Sequence, residues 1–303
     1  MNHLYISDEI TAARQEARPL VALESTVISH GLPRPGNLAT ARRLESIVRE
    51  ENAVPATCAI LQGRLCVGVD DEQLQHLANA DGIRKVSRRD LPVAVAQRWD
   101  GATTVATTAW LAHQAGLAVF ATGGIGGVHR GALPDVSADL PELARLPLVI
   151  VCAGAKIVLD LPATREWLET QGVTVLGYQC DEMPAFYSRR SGLAVDARVE
   201  TPEEVAAIYR ARRELDLAGA VLVTVPVPEA DEVPAALLED ALAQALRAAV
   251  AKNIGGRALT PFLLSYMSKA SAGATLRANI ALLENNARIA AQIATAILQK
   301  PQA

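Results

Sequence analysis

Short apolar runs alternate with amphipathic stretches along the whole chain. At three places between these runs the apolar positions recur at helical spacing, in 71–79, 91–99 and 163–171. This alternation is typical of a sheet covered by helices, so we predict an α/β fold. The runs with the length and composition of strands are 21–26, 55–61, 64–69, 117–123, 148–154, 173–178 and 220–226.

Local features refine this architecture. Gln62-Gly63 separates two β-rich runs, which predicts a hairpin and therefore a mixed sheet. Asn37 is predicted to cap a helix that has one apolar face. From Pro234 the chain reads as almost wholly helical, ending in a helix over 275–299. No linker or repeat interrupts it, so we predict one domain over 1–303, with a helical C-terminal layer and residues 1–19 as an N-terminal extension.

Composition and charge exclude several classes of function. Half of the 303 residues are hydrophobic, and the net charge is −4 with a pI near 5.8. Without a positive field, neither nucleic acid nor an anionic membrane is expected as the main partner. The four cysteines lack zinc-ligand spacing, and neither a signal peptide nor a membrane span is recognisable. We therefore expect a soluble cytoplasmic protein with free thiols.

The glycine-rich segment 121–131, ATGGIGGVHRG, follows a candidate strand. Its glycines would let backbone N–H groups turn towards an anion, with His129 and Arg130 as further donors. It lacks the GK[ST] ending of a P-loop. A phosphate cradle and a tight structural loop are equally consistent with the pattern.

Two residues follow or interrupt apolar strands where chemistry is expected. Lys156 comes directly after LVIVCAGA, at the carboxyl end of a strand, where desolvation would lower its pKa and favour a nucleophilic amine. The alternative is a lysine that reaches solvent beside the strand end. Glu24 interrupts VALEST, and burial there would raise its pKa towards that of a general acid. Pairing with Arg34 is the structural alternative.

Three further groups have both a functional and a structural interpretation. Lys85, Arg88 and Arg89 could hold a phosphate or form surface salt bridges. The stretch DVSAD, 135–139, offers oxygens suited to Mg²⁺ or Mn²⁺, or alternatively a helix cap. Asn279 lies among apolar positions, where its amide needs either a ligand or an interhelical hydrogen bond.

Several stretches are long enough to compare as motifs. Between about residue 20 and residue 290 they include VALESTVISHGLPRPGN, ENAVPATCAI, KVSRRDLP, DGATTVATT, FATGGIGGVHRG, VIVCAGAK, GYQCDEMPAFY and ANIALLENNA. In order and wording they resemble the pseudouridine-5′-phosphate glycosidases, also called the indigoidine synthase A-like family. The resemblance implies a three-layer α/β/α fold, a homotrimer and reversible cleavage of pseudouridine 5′-phosphate to uracil and ribose 5-phosphate.

The resemblance also implies roles for particular residues. Lys156 is the implied nucleophile, which forms a Schiff base, and Glu24 the proton donor. Asp135 matches a position associated with a divalent metal, usually Mn²⁺. The implied substrate-binding residues are Lys85, Val105, Thr122, His129, Ser137, Ala138, Asp139 and Asn279.

Two other functions are compatible with a lysine beside a phosphate-binding loop. One is a Schiff-base aldolase that acts on a sugar phosphate, which differs in its products. The other is a non-catalytic sugar-phosphate sensor. The presence of Glu24, Lys156 and Asp139 together argues against the sensor.

Overall fold

The fold is described by a computed structural model over residues 3–131 and 135–299. Its helices are Asp8–Gln15 (α1), Gly36–Glu50 (α2), Asp71–Asn79 (α3), Leu91–Ala96 (α4), Val105–Gln114 (α5), Asp139–Leu143 (α6), Leu161–Thr170 (α7), Pro202–Glu214 (α8), Ala235–Ala251 (α9), Leu259–Ala270 (α10) and Ala274–Leu298 (α11). Its strands are Leu4–Ile6 (β1), Leu20–Leu23 (β2), Val54–Leu61 (β3), Arg64–Val67 (β4), Arg84–Val86 (β5), Gly101–Thr103 (β6), Val119–Ala121 (β7), Val128–His129 (β8), Val149–Cys152 (β9), Leu159–Asp160 (β10), Thr174–Tyr178 (β11), Ala197–Val199 (β12) and Val221–Thr224 (β13).

One sheet of eleven strands organises the domain, in the order β1-β4-β3-β2-β7-β9-β13-β11-β12. From β3 through β2 to β12 neighbouring strands are parallel, whereas β3 runs antiparallel to β4 and to β6, which pairs in turn with β5. The predicted mixed sheet is therefore confirmed. Helix α11 contacts β2, β7 and β9 and is flanked by α2 and α8, while α5 packs on the sheet from the other side.

The predicted hairpin is confirmed in its detail. Leu61 pairs with Arg64, and the two loop residues Gln62 and Gly63 have φ values of 49° and 77°. Positive φ at both positions is the geometry of a type I′ turn, whose twist matches that of the flanking strands. The other five predicted strands and the helices over 71–79, 91–99 and 163–171 are present as well, most of them with slightly different ends.

The first predicted strand, 21–26, ends earlier than expected. Strand β2 stops at Leu23, and Val27–Gly31 forms a single π-helical turn. Glu24 therefore lies just beyond the carboxyl end of the strand, not inside it. This position directs the residue to the edge of the sheet where α/β proteins bind ligands.

The prediction that Asn37 caps a helix is wrong. Helix α2 begins at Gly36 after Pro35, and Asn37 lies within its first turn, buried. Its Nδ2 donates to Ile28 O and to Ala78 O, both at 2.9 Å. These tertiary bonds hold the π-helical turn and the end of α3 against α2. A capping role would have left those two buried carbonyl groups without this donor.

Both ends of the chain join the same core. Strand β1 pairs with β4, and Ile10 and Ala13 of α1 are fully buried, so the segment expected as an extension contributes to the sheet and its packing. The predicted helical character after Pro234 is confirmed by α9, α10 and α11. Among the helices described above, none is long and apolar enough to cross a bilayer.

Candidate active site

A cavity of about 250 Å³ lies at the carboxyl edge of the sheet. Glu24 follows β2, the glycine-rich segment follows β7, and Lys156 follows β9 by four residues. Because these parallel strands are neighbours, the residues after them meet at one edge. The sequence-predicted residues that line the cavity are Glu24, Lys85, Val105, His129, Asp135, Ser137, Ala138, Asp139, Lys156 and Asn279.

Thr122, one of the implied substrate-binding residues, does not line this cavity. It is buried, and its hydroxyl lowers the pKa of the nearby Glu24 carboxyl. Its Oγ1 has no fully formed hydrogen bond with any part of the described chain. Thr122 therefore acts on Glu24 and not on the cavity surface.

Glu24 is a buried acid, with 8% of its surface exposed. Burial raises the pKa of its carboxyl from 4.5 to about 7, because the charged form loses its hydration. The positive charge of Lys156 opposes this rise, and the negative charge of Asp139 adds to it. Pairing with Arg34 does not occur, since Arg34 bonds Asp81 and Ala80 O instead. Near neutral pH the carboxyl can therefore both give and take a proton.

Lys156 faces the cavity and not bulk solvent. Its Nζ donates to Gly124 O at 2.5 Å, and its backbone N donates to Ile125 O at 3.1 Å. The turn before it requires Gly154, which has φ 80° and where an added Cβ would lie 2.1 Å from Pro184 O. The amine is thus held by the backbone of the glycine-rich segment, on the same cavity wall as Glu24.

The glycine-rich segment is a closely packed wall of the cavity. An added Cβ would lie 2.7 Å from the Phe186 ring at Gly124, 2.2 Å from Ser137 Oγ at Gly126, and 2.3 Å from Thr164 Oγ1 at Gly127. These contacts correspond to the tight structural loop. Four backbone N–H groups of the segment already donate to acceptors within the protein, so they are not available to a phosphate; they belong to Ile125, Gly126, Val128 and His129.

Asp139 joins two walls of the site. Its Oδ1 accepts from Ala106 N at 2.9 Å and its Oδ2 from Gly126 N at 2.8 Å. Ser137 Oγ accepts from Asp139 N at 3.2 Å in a local turn before α6, whose N-cap residue is Ala138, so neither Ser137 nor Asp139 caps this helix. The carboxylate is 7% exposed and still reaches the cavity. It positions the start of α5 and the glycine-rich segment relative to each other.

The basic run at 85–89 serves both of the purposes considered for it. Lys85 and Arg89 line the cavity, as a phosphate-binding role requires. Arg88 points elsewhere and forms an ion pair with Glu142, which is 5% exposed, at 2.6 and 2.9 Å. This pair attaches the basic run to α6, and so to the segment that carries Asp139.

Val105 is the first residue of α5, after the N-cap Thr104. As in any helix, the first backbone N–H groups have no acceptor within the helix. Those of Ala106 and Thr107 donate to the side chains of Asp139 and Thr104. The positive end of a helix dipole therefore lies at the cavity wall close to Lys85. A valine at this position can offer its backbone N–H to a ligand, which is how an apolar residue can belong to a polar site.

Asp135 lines the cavity and is exposed. Its carbonyl oxygen accepts from His129 N at 2.8 Å. Within residues 3–131 and 135–299, no group of three His, Cys, Asp or Glu side chains is placed to hold a metal. With Asp139 engaged by two backbone N–H groups, Asp135 is the carboxylate of this segment that remains open to a cation.

Sequence reasoning missed several residues of the wall. Thr26 and His30 lie on the π-helical turn, and Phe186 comes from the segment after β11. Thr260, Pro261 and Leu264 come from the start of α10. The polar residues of the motif STVISHG were the available signal for the first two, but helical periodicity does not reveal a π-helical turn. The apolar pattern of α10 gives no sign that its residues reach the site, because only packing brings that helix over the cavity.

The architecture and the motifs agree with comparisons to known proteins. The family model described as "Indigoidine synthase A like protein" matches residues 9–296. The chain belongs to this family. A pseudouridine-5′-phosphate glycosidase of Methylobacterium nodulans is 51% identical, covering 97% of this chain and 88% of the relative. One of Symbiobacterium thermophilum is 52% identical, covering 97% of each.

A solved structure of a family relative matches the whole fold. It is the prealnumycin C-glycosynthase AlnA in complex with ribulose 5-phosphate, 39% identical with a TM-score of 0.90, covering 98% of each chain. The predicted α/β fold and family are thereby confirmed. The relatives named above span almost the full length of this chain.

Proposed function

We propose that this chain catalyses the reversible cleavage of the C–C glycosidic bond of pseudouridine 5′-phosphate, giving uracil and ribose 5-phosphate. The curated relatives at 51% and 52% identity carry this activity in their names. AlnA, a C-glycosynthase by name, was solved with a sugar 5-phosphate. The observation that carries the proposal is that an amine, Lys156, and a buried acid with a pKa of about 7, Glu24, line one cavity.

Lys156 is the proposed nucleophile. Uracil is attached through carbon, so its direct expulsion as a C5 carbanion would be prohibitively slow. The ribose ring opens as the bond from C1′ to O4′ breaks, with its electron pair leaving on O4′, which takes up a proton. The Lys156 amine forms the new bond to C1′ and loses a proton, and its nitrogen lone pair can then assist departure of the base. The bond from C1′ to C5 breaks with its electron pair moving to uracil, and the sugar is left as an iminium on the lysine.

Glu24 is the proposed proton donor to uracil C5. When this carbon is protonated, the electron pair of the breaking bond moves into the uracil ring and neutral uracil leaves. A free carbanion is thereby avoided. A carboxyl with a pKa near 7 is half protonated at neutral pH and so serves both directions of a reversible reaction. Water then hydrolyses the iminium to ribose 5-phosphate and restores the amine.

We place the phosphate at the start of α5. The backbone N–H of Val105, the ammonium of Lys85 and the guanidinium of Arg89 line the cavity there, and the helix dipole adds positive potential. Binding at a distance from the reacting bond holds C1′ in register with Lys156. His129, Ser137, Ala138, Asp139 and Asn279 complete the proposed substrate contacts, and Thr122 supports Glu24.

The donor set also fits a hard divalent cation that is held largely by water and substrate oxygens. Mg²⁺ and Mn²⁺ are often bound through one carboxylate plus phosphate, and Asp135 offers such a carboxylate at the cavity. We propose Mn²⁺, held by Asp135. When bound, the ion would supply charge neutralisation for the substrate's oxygens.

Cellular location and assembly follow from the resemblance. We propose that the chain acts in the cytoplasm as a homotrimer. The four cysteines are free thiols, three of them buried at Cys58, Cys66 and Cys152, which supports a reducing compartment. Light scattering during size-exclusion chromatography measures the assembly, and a mass other than three chains would contradict it.

Uracil release tests the function. The purified chain with Mn²⁺ is incubated with pseudouridine 5′-phosphate, and the products are separated by chromatography. Uracil and ribose 5-phosphate are expected in equal amounts. Cleavage within the sugar would indicate the aldolase instead, and binding without turnover the sensor.

Borohydride reduction tests the role of Lys156 separately. It is expected to attach ribose 5-phosphate to the wild-type protein and not to Lys156→Ala, with Lys156→Arg as the variant that keeps the charge. Mass spectrometry of the digested protein identifies the labelled residue. An adduct on another residue would remove Lys156 from the mechanism.

A further inference from the structure

A group of polar side chains forms one wall of the cavity, and the proposed mechanism gives two of them no role. Thr26 and His30 lie four residues apart, about one helical turn, so both project from the same face of the π-helical turn. Asn279 on α11 contributes a third group. We call Thr26, His30 and Asn279 the polar wall.

Two polar atoms of this wall are unsatisfied. Thr26 Oγ1 and His30 Nε2 are buried and have no hydrogen-bond partner in the described part of the chain. Asn279, which is 6% exposed, lines the same cavity with its carboxamide group. A buried polar atom without a partner costs roughly 1–3 kcal/mol, so groups left in this state mark a place where a ligand completes the bonding.

The wall has space next to it on two sides. His30 and Asn279 line the main cavity, and both also line a second cavity of about 230 Å³ next to it. Both residues therefore border open space on two sides, whereas a core residue would be surrounded by packed side chains.

The chemistry of the wall suits an uncharged ligand better than a phosphate. Burial and the nearby charge of Lys85 lower the pKa of His30, so its ring is neutral at neutral pH. A hydroxyl, a neutral imidazole and a carboxamide together offer both donors and acceptors. A phosphate dianion offers only acceptors, and the cations and helix start at Lys85, Arg89 and Val105 already match it.

We propose that Thr26, His30 and Asn279 form the subsite that binds the pyrimidine base, through hydrogen bonds to the edge on which N–H groups and carbonyl oxygens alternate. The inference rests on the proposed function and adds the recognition of the base to it. Thr26 and His30 hold uracil with C5 turned towards Glu24. The same contacts select a base with this edge over analogues that lack it.

Kinetics in the synthetic direction separate the two ends of the reaction, because uracil and ribose 5-phosphate are then added independently. His30→Ala is expected to raise the KM for uracil roughly tenfold, the scale of one lost hydrogen bond in a buried site. Thr26→Val, which keeps the shape and removes the hydroxyl, is expected to raise it about threefold to tenfold. The KM for ribose 5-phosphate and the borohydride adduct are expected to stay unchanged.

A matched control lies on the same turn. Ser29 Oγ donates to Leu77 O at 2.8 Å, away from the cavity, so Ser29→Ala loosens the turn without touching the polar wall. Its uracil KM is expected to match the wild type. His30→Gln, which keeps hydrogen-bonding capacity, is expected to recover part of the loss.

Each outcome decides the inference. An unchanged uracil KM in both His30→Ala and Thr26→Val overturns it. So does a rise in the KM for ribose 5-phosphate, which would put these residues at the phosphate end. If His30→Ala does not fold, Thr26→Val and His30→Gln decide by the same criteria. A wild-type protein that neither releases nor consumes uracil fails the proposed function itself, which is a separate result.

Discussion

Asp139 and Gly126 meet where two walls of the cavity join: Gly126 N donates to Asp139 Oδ2 at 2.8 Å, and an added Cβ on Gly126 would lie 2.7 Å from that same oxygen. The other oxygen, Oδ1, accepts from Ala106 N at the start of α5. One carboxylate thus holds the glycine-rich segment against the proposed phosphate-binding helix. Each of these two bonds needs an oxygen atom that accepts a hydrogen bond. An asparagine amide has one such oxygen, so it could accept only one of the two.

Asp139→Asn is expected to lower both stability and turnover. The amide NH₂ would face one of the two backbone N–H groups, so a buried donor would lose its partner at a cost of roughly 1–3 kcal/mol. Thermal unfolding measures the loss. Asp135→Asn is the control, because Asp135 is exposed and its substitution is expected to leave the melting temperature unchanged. Equal melting temperatures for both variants would contradict the structural role of Asp139.

Gly154→Ala is expected to abolish adduct formation at Lys156. The new Cβ would lie 2.1 Å from Pro184 O, and either the segment around Pro184 or the turn before Lys156 must move. Gly172→Ala is the matched control, since Gly172 also has a positive φ, 68°, but open space around its Cβ position. It carries only the backbone cost of about 1–2 kcal/mol. Borohydride labelling of both variants compares them, and full labelling of Gly154→Ala would refute the geometry of this turn.

Cleavage by the wild-type protein is expected to fall as pH rises through about 7. The pKa of Glu24 is about 7, and only its protonated form donates to uracil C5. Initial rates at saturating substrate, measured between pH 5 and 9, give the profile. Glu24→Gln is expected to lose cleavage and with it this descending limb. Turnover at the wild-type rate in Glu24→Gln would remove Glu24 from the mechanism.

Glu24→Gln is also expected to be more stable than the wild type at alkaline pH. The folded-state pKa is raised from 4.5 to about 7, so the buried carboxyl favours folding fully below 4.5, and this contribution is lost as pH rises to about 7. Above 7 the difference is on the order of 3 kcal/mol. Denaturant unfolding at pH 4.5 and pH 8 measures it. If the difference in unfolding free energy between Glu24→Gln and the wild type does not increase with pH, the burial of an ionisable Glu24 would be contradicted.

Arg88 and Glu142 are expected to be strongly coupled. Replacing Arg88 with Leu leaves the buried Glu142 carboxylate unpaired, which costs roughly 3–5 kcal/mol. The double variant Arg88→Leu with Glu142→Leu is expected to lose less than the single variant, because no isolated charge remains. A double-mutant cycle on unfolding free energy measures the coupling. The exposed pair of Arg42 and Asp71, bonded at 2.7 Å through two oxygens, is the control and is expected to contribute under about 1 kcal/mol.

Chelation is expected to stop uracil release, and added Mn²⁺ to restore it. Asp135→Ala is expected to need a higher Mn²⁺ concentration for half-maximal activity while its melting temperature stays that of the wild type. Titrations of activity against Mn²⁺ compare the two proteins. A chelated protein that keeps full activity would contradict the proposed metal requirement.

Much of the fold follows from local pattern. Seven strands and the hairpin were predictable because apolar runs bounded by turn residues specify strands, and Gln62-Gly63 specifies a tight turn. The role of Asn37 was not predictable. Its amide donates to Ile28 O and Ala78 O, which belong to other elements of the fold, and it does not cap the helix. Propensity describes a residue's neighbours along the chain, and tertiary hydrogen bonds override it.

The candidate site divides in the same way. Lys156 and Glu24 were recognisable because charged residues next to apolar strand ends are rare, and the motifs around them resemble a family. The separation of Arg88 from Lys85 and Arg89 was not recognisable, because one basic run points both into the cavity and towards Glu142. The reason for the glycines in the glycine-rich segment was not recognisable either. They leave room for Phe186, Ser137 and Thr164, which approach from other parts of the chain.

Local pattern and motifs were enough to predict the class of fold, the strand ends that carry the chemistry, and the family. Packing was needed to learn which described polar groups lack partners, that Thr26 and His30 share a wall with Asn279, and that burial raises the pKa of Glu24 to about 7. Desolvation and hydrogen-bond satisfaction depend on everything packed around a group, and the residues packed around these groups come from distant parts of the chain.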